Sequence, residues 1–351
     1  MKKNMKKLFV IVIILTTCFG CSFLATRFTS KKNLSFNQTN LSKDANKFFW
    51  DNYHQGNYDS IPEIIEKLNH ALQESPNDLR TTAHLGFVHI WALSERQRLP
   101  QISPDIIEHN TLSRRYFTEA NQMDPHDPRI LGFLADQTIL EGIHLNNKKQ
   151  QTEGYFLGLK SIRMWPQFNK FTLGYIFSNL PPSEKNFKEG LEWQYETIDD
   201  CACEKNTRKT DYKSAVQKIK QSKDPKIYRT CWNTWIAPHN WEGFCLNWGD
   251  MLIKSGEIGE GIGIYMLAKE SDSYNEWPYR SELENRIKNA DQNVADFNKP
   301  VDNQNLRNEN VIMLSSKFSC TGCHQMSKTE FTNFGYQEPG ENYYFIKTQK
   351  Y

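Results

Sequence analysis

Between residues 44 and 298 apolar side chains recur at three- and four-residue spacing, and little alternates with the two-residue period of a strand. The pattern predicts helices, punctuated by proline and glycine. Ala71 leads to Pro76-Asn77-Asp78 and then to Leu85-Gly86. Ala120 leads to Asp124-Pro125 and then to Leu131-Gly132, and Met164-Trp165-Pro166 precedes Leu173-Gly174-Tyr175. Proline stops a helix because it lacks an N–H and clashes with the preceding turn, whereas glycine lets two helices approach closely. Leu85, Gly86, Phe87 and Ile90, followed by Tyr116, Phe117 and Ala120, predict the two helices of one hairpin. A later unit runs from Trp248-Gly249-Asp250 through Ser255-Gly256 to Tyr265 and Ala268, and Trp277-Pro278-Tyr279 opens a further helix.

This grammar resembles tetratricopeptide repeats, whose 34-residue unit carries Leu-Gly in its first helix, Ala in its second and Pro near its end. The prolines here stand farther apart, 49 residues from Pro76 to Pro125 and 41 from Pro125 to Pro166. Insertions or degenerate repeats follow, one of them at Leu99-Pro100-Gln101-Ile102-Ser103-Pro104. The resemblance implies an all-α fold of stacked antiparallel helical hairpins over residues 46–297, with an insert at about 196–245. Such an array leaves a concave helical face that takes a protein partner, or serves as scaffold alone.

Ahead of the body, Lys2, Lys3, Lys6 and Lys7 precede an apolar run at residues 8–15, the layout of a secretory signal. The run is too short for a permanent bilayer span. Thr16-Thr17-Cys18-Phe19-Gly20-Cys21 resembles the lipobox of bacterial lipoproteins, in which a small residue precedes the acylated cysteine. The resemblance implies a signal peptide at residues 1–20, lipidation at Cys21 and a membrane anchor. Ser22 in place of Asp points to the outer membrane, facing the periplasm. Residues 21–45 are rich in Ser, Asn, Lys and Thr and read as a flexible tether. Removing the four lysines takes the formal charge from +2 to −2, which leaves no basic excess for nucleic acid. Aromatic content of 13%, with nine Trp, marks a folded chain.

Of eight cysteines, Cys18 leaves with the signal and Cys21 carries lipid, so six remain in an oxidising compartment. Cys201, Cys203, Cys231 and Cys245 are candidate disulfide partners that pin the insert. With His239 they also suit a soft metal such as zinc or Cu(I), but C-x-C followed by cysteines 28 and 14 residues on is no usual finger or ribbon. The neighbouring Trp232, Trp235 and Trp241 read as core packing.

The most specific chemistry lies at Cys320-Thr321-Gly322-Cys323-His324. From this composition a C-x-x-C-H run arises by chance roughly 0.005 times per chain. The run resembles the haem attachment motif of c-type cytochromes, which implies a covalent haem c on Cys320 and Cys323 with His324 as proximal iron ligand. Met326 stands too near His324 to reach the far side of the ring. Met313, in the apolar run Val311-Ile312-Met313-Leu314, is the candidate distal ligand, with a histidine of the body or an open position as alternatives. A plain disulfide, a thioredoxin-like pair or a metal site compete, though the βαβ context of a thioredoxin pair is missing. Residues 298–310 read as a linker and 311–351 as a C-terminal segment, in which Tyr336, Pro339-Gly340, Tyr343, Tyr344 and Phe345 wall a porphyrin or dock the tail. The expectation is therefore an envelope lipoprotein with a single c-type haem, in electron transfer or a haem-linked partner complex. The alternative is a haem-free interaction scaffold with all six cysteines in disulfides. No Ser-His-Asp arrangement or phosphate loop assigns an enzyme activity.

Overall fold

The computed structural model describes residues 38–205, 207–209, 212–221, 240–299 and 310–334, without the side chains of residues 209, 333 and 334. All of these belong to one compact unit, Leu34–Tyr351. The signal, Cys21, most of the tether, Cys231, His239, most of the linker and the tail from residue 335 lie outside the described residues.

The described chain is helical, with no β-strand. Eight helices lead off: α1 (Asn40–Gln55), α2 (Ile61–Glu74), α3 (Leu79–Ser94), α4 (Glu108–Met123), α5 (Pro128–His144), α6 (Lys148–Met164), α7 (Pro166–Phe177) and α8 (Lys185–Ala202). There follow α9 (Tyr212–Gln221), α10 (Trp241–Ser255), α11 (Ile258–Leu267), α12 (Arg280–Lys288), α13 (Ala290–Asp296), the single turn α14 (Thr321–His324) and α15 (Lys328–Phe334). The helical body thus begins at Asn40, inside the stretch expected to be tether. Thr39 accepts from the Ser42 N–H there and caps α1.

Local chemistry sets the boundaries. Asp78 accepts from the N–H groups of Arg80 and Thr81, Asp127 from those of Arg129 and Ile130, and Asn147 from that of Gln150, each relieving orphan donors of a first turn. Pro62, Pro128 and Pro166 sit in first turns, where the missing N–H costs nothing. Gly256, at φ +91°, closes α10 in the left-handed region. Two 3-10 turns, Arg96–Arg98 and Pro104–Ile107, flank the expected insertion between α3 and α4.

From α1 to α8 each helix packs on the next, α1 also touches α3, and α5 touches α7. The Phe117 ring of α4 lies where a Cβ on Gly86 of α3 would sit, so the α3–α4 pair is present and depends on that glycine. One apolar cluster surrounds Trp91 and joins α1, α2 and α3; a larger one surrounds Trp248 and draws in α7 to α13 together with residues 312–323. Among the described residues no helix is long and apolar enough to cross a membrane.

Of the expected insert, the start lies within α8 and the end within α10. Two of its candidate disulfide residues are free. Cys203 is the exposed left-handed cap of α8 (φ +54°), and Cys245 is fully buried inside α10, so the two belong to different surroundings. Cys201 is disulfide-bonded, with its partner outside the described residues.

Candidate functional site

Residues 310–334 are built into the body. Asp250 of α10 accepts from the Met313 N–H (2.7 Å) and the Tyr265 hydroxyl (2.6 Å), and Arg286 of α12 pairs with it at 2.8 Å. Arg286 also donates to the Val311 carbonyl. Asp250 and Arg286 are both buried. Burial pushes the Asp250 carboxyl up to about 6, against the pull of the adjacent guanidinium.

Beyond this anchor the chain turns once into α14. The Cys320 carbonyl accepts from the N–H groups of Cys323 (3.1 Å) and His324 (3.0 Å), and that of Thr321 from Gln325 (2.8 Å). A helical turn places positions i, i+3 and i+4 on one face, so Cys320, Cys323 and His324 share a face and Gly322 points away from it. Both thiols are free.

The N-terminus of this turn is satisfied by Glu95, which is fully buried 225 positions earlier in the chain. Its Oε1 accepts from the Cys320 N–H (3.0 Å), the Thr321 N–H (2.7 Å) and the Thr321 hydroxyl (2.8 Å). Its Oε2 takes the Trp91 indole N–H at 3.0 Å and Arg98 Nε at 2.8 Å. Burial raises its pKa, opposed by Arg98 and Thr321, yet every neighbour donates, so the site satisfies the ionised carboxylate. Arg98 carries the clamp on: Nη2 reaches the Thr321 and Tyr279 hydroxyls, and Nε the Lys317 carbonyl at 2.7 Å. Tyr279 in turn donates to Gln325 at 2.7 Å.

Aromatic and small residues enclose the turn. The Tyr53 ring of α1 packs on that of His324, centroids 4.8 Å apart. Tyr175 of α7 donates to the Ser319 carbonyl (2.6 Å), and Trp277 to that of Gly322 (3.2 Å). Burial lifts the Tyr53 and Tyr175 phenols well above their usual range, with the two cysteines and Glu95 adding to the effect. From α10, the Asn240 N–H donates to the Cys323 carbonyl at 2.8 Å. Gly243 faces Cys323 so closely that a Cβ there would lie 2.5 Å from the Gly322 carbonyl oxygen and 2.6 Å from Cys323 Sγ. Gly243→Ala is therefore expected to destabilise the protein by about 1–3 kcal/mol through overpacking, although alanine is the better helix former. Urea unfolding measures this, and an unchanged midpoint would contradict the close packing.

Met313, the expected distal ligand, lies beside Gly322. It is fully buried, and its methyl group lies 2.5 Å from where a Cβ on Gly322 would be, behind the turn and away from the Cys320–Cys323–His324 face.

The thiols are poor nucleophiles as they stand. Burial, then Glu95, pushes Cys320 up to about 12, and burial raises Cys323 and Cys245 as well. Disulfide exchange needs a thiolate, so a thioredoxin-like role fits poorly. In haem-free native protein at pH 8, iodoacetamide is expected to modify exposed Cys203 and to leave Cys245, Cys320 and Cys323 untouched until denaturant is added. Peptide mass mapping checks this; labelling of Cys323 as fast as Cys203 would contradict it.

Among the described residues no three His, Cys, Asp or Glu side chains converge to hold a bare metal ion. Haem attachment has no such requirement, because the thiols bond to the ring periphery and only the imidazole meets iron. Two free thiols and an imidazole on one face of a braced turn fit that group. Cys320 and Cys323 would hold the porphyrin covalently, and His324 would be its ligand. Glu95, Arg98, Tyr53 and Gly243, which complete the site, were not among the residues singled out from sequence. Glu95 did leave a signal, since it caps the C-terminus of α3, where the helix dipole disfavours a carboxylate. The chain matches no family model, no curated protein and no solved structure.

Proposed function

We propose that this chain is an envelope lipoprotein that carries one c-type haem on Cys320 and Cys323, with His324 as first iron ligand, and passes electrons within a partner complex. One observation carries the reading: the single turn of α14 sets two free thiols and the imidazole on one face, and a buried carboxylate from α3 braces that turn. When bound, the haem supplies one-electron chemistry. The chain's own residues fix its attachment face and pack aromatic side chains against the turn that carries it. The resemblance at Cys21 supports a lipid anchor facing the periplasm, and Ser22 in place of Asp supports the outer membrane. The succession of packed helices supports a tetratricopeptide-like array, whose concave face takes the protein partner, and the Cys201 disulfide supports a pinned insert.

A second reading is a haem-free scaffold in which α14 only plugs the body, and the burial of Cys323 favours it. Four free cysteines among the described residues weigh against its all-disulfide form. A pyridine haemochrome spectrum separates the two readings, taken on full-length protein made in a host with cytochrome c maturation. A c-type α-band that disappears in Cys320→Ser, Cys323→Ser supports the haem protein, and no band in either leaves the scaffold.

A further inference from the structure

The motif supplies one axial ligand, and Met313 lies behind the turn. Another residue beside α14 has the chemistry that the second position needs. His54, in the last turn of α1, is 4% exposed, and neither Nδ1 nor Nε2 has a hydrogen-bond partner. Leaving a buried polar atom unpaired is destabilising, and here both nitrogens of one ring are in that state. The other buried histidines differ. His84 Nδ1 meets the side-chain oxygen of Asn46 at 2.5 Å, and His89 Nδ1 meets His109 Nδ1 at 2.7 Å.

The His54 ring is held by apolar packing, with its centroid 4.9 Å from that of Trp50. Its main chain is tied to the motif: the His54 carbonyl accepts from the Met326 N–H at 2.9 Å, two residues past His324. The ring of the preceding residue, Tyr53, packs against that of His324 at 4.8 Å with a tilt of 31°. Coordination would also give one His54 nitrogen the partner that the fold withholds.

We propose that His54 is the second axial ligand of the haem iron, with His324 the first. This rests on the haem reading above. The test uses the full-length chain matured with haem, its covalent haem content measured first by pyridine haemochrome. Electron paramagnetic resonance and near-infrared magnetic circular dichroism of the ferric protein are expected to show a low-spin iron with two nitrogen ligands. His54→Ala should keep its haem content and turn high-spin, and added imidazole should restore the low-spin signal. His54→Met should stay low-spin, gain the sulfur-to-iron charge-transfer absorption and rise in potential, which keeps the test open where the alanine variant folds poorly. A high-spin wild type, or His54→Ala that stays low-spin with two nitrogens, overturns the assignment. Absence of covalent haem in the wild type overturns the underlying reading instead, and the first assay alone reveals it.

Discussion

Glu95→Ala is expected to lower the free energy of unfolding by about 3–5 kcal/mol, the cost of removing one partner from a buried charge pair. The substitution strips the acceptor from the Cys320 and Thr321 N–H groups, the Thr321 hydroxyl and the Trp91 indole, and leaves Arg98 without its carboxylate. Glu95→Gln keeps the shape and one acceptor oxygen and should lose less. Urea denaturation followed by tryptophan fluorescence measures both. Because Glu95 orders the turn that presents the two thiols, the alanine variant should also carry less covalent haem when co-expressed with a maturation system. A loss under about 1 kcal/mol would mean that the turn is held by its other contacts, and the role given to Glu95 would fail.

Arg286→Met should cost a similar amount, about 3–5 kcal/mol at pH 8, because it leaves Asp250 ionised and buried with only the Tyr265 hydroxyl and the Met313 N–H. The deficit should shrink on acidification. Burial already raises the Asp250 pKa in the folded state to about 6 from an ordinary value of 3.8, and loss of the guanidinium raises it further. Between the unfolded and folded values the folded chain holds the extra proton, so in that window the Asp250 contribution to stability falls as pH rises and recovers as pH drops. Comparing unfolding free energies of wild type and variant at pH 8 and pH 5 isolates this group from other titrations. A deficit that grows at pH 5 would contradict the assignment.

Helix boundaries were legible because their causes are local. Asp78, Asp127 and Asn147 cap the turn that follows them, and Pro128 and Pro166 stand where a helix tolerates them. The C-x-x-C-H face was legible for the same reason, since it needs only the spacing of one turn. The bracing of that turn was not legible, because Glu95 and Thr321 meet across 226 positions and no local pattern links them. The apolar run at Val311-Ile312-Met313-Leu314 shows that Met313 is buried, not which side of a neighbouring turn it covers. His54 was missed because a histidine in the last turn of a helix is explained well enough by the helix dipole, and that reading hides its burial. The left-handed backbone of Cys203 and the helical interior position of Cys245 likewise cannot be inferred from cysteine spacing.

The central claim is that Cys320 and Cys323 carry haem. Its most direct test is the intact mass of full-length protein, made with its own N-terminus in a host with cytochrome c maturation and analysed under denaturing conditions. The expected result is a species heavier than the chain by one haem, absent from Cys320→Ser, Cys323→Ser. A mass with no haem addition, with both thiols alkylated after unfolding, would contradict it.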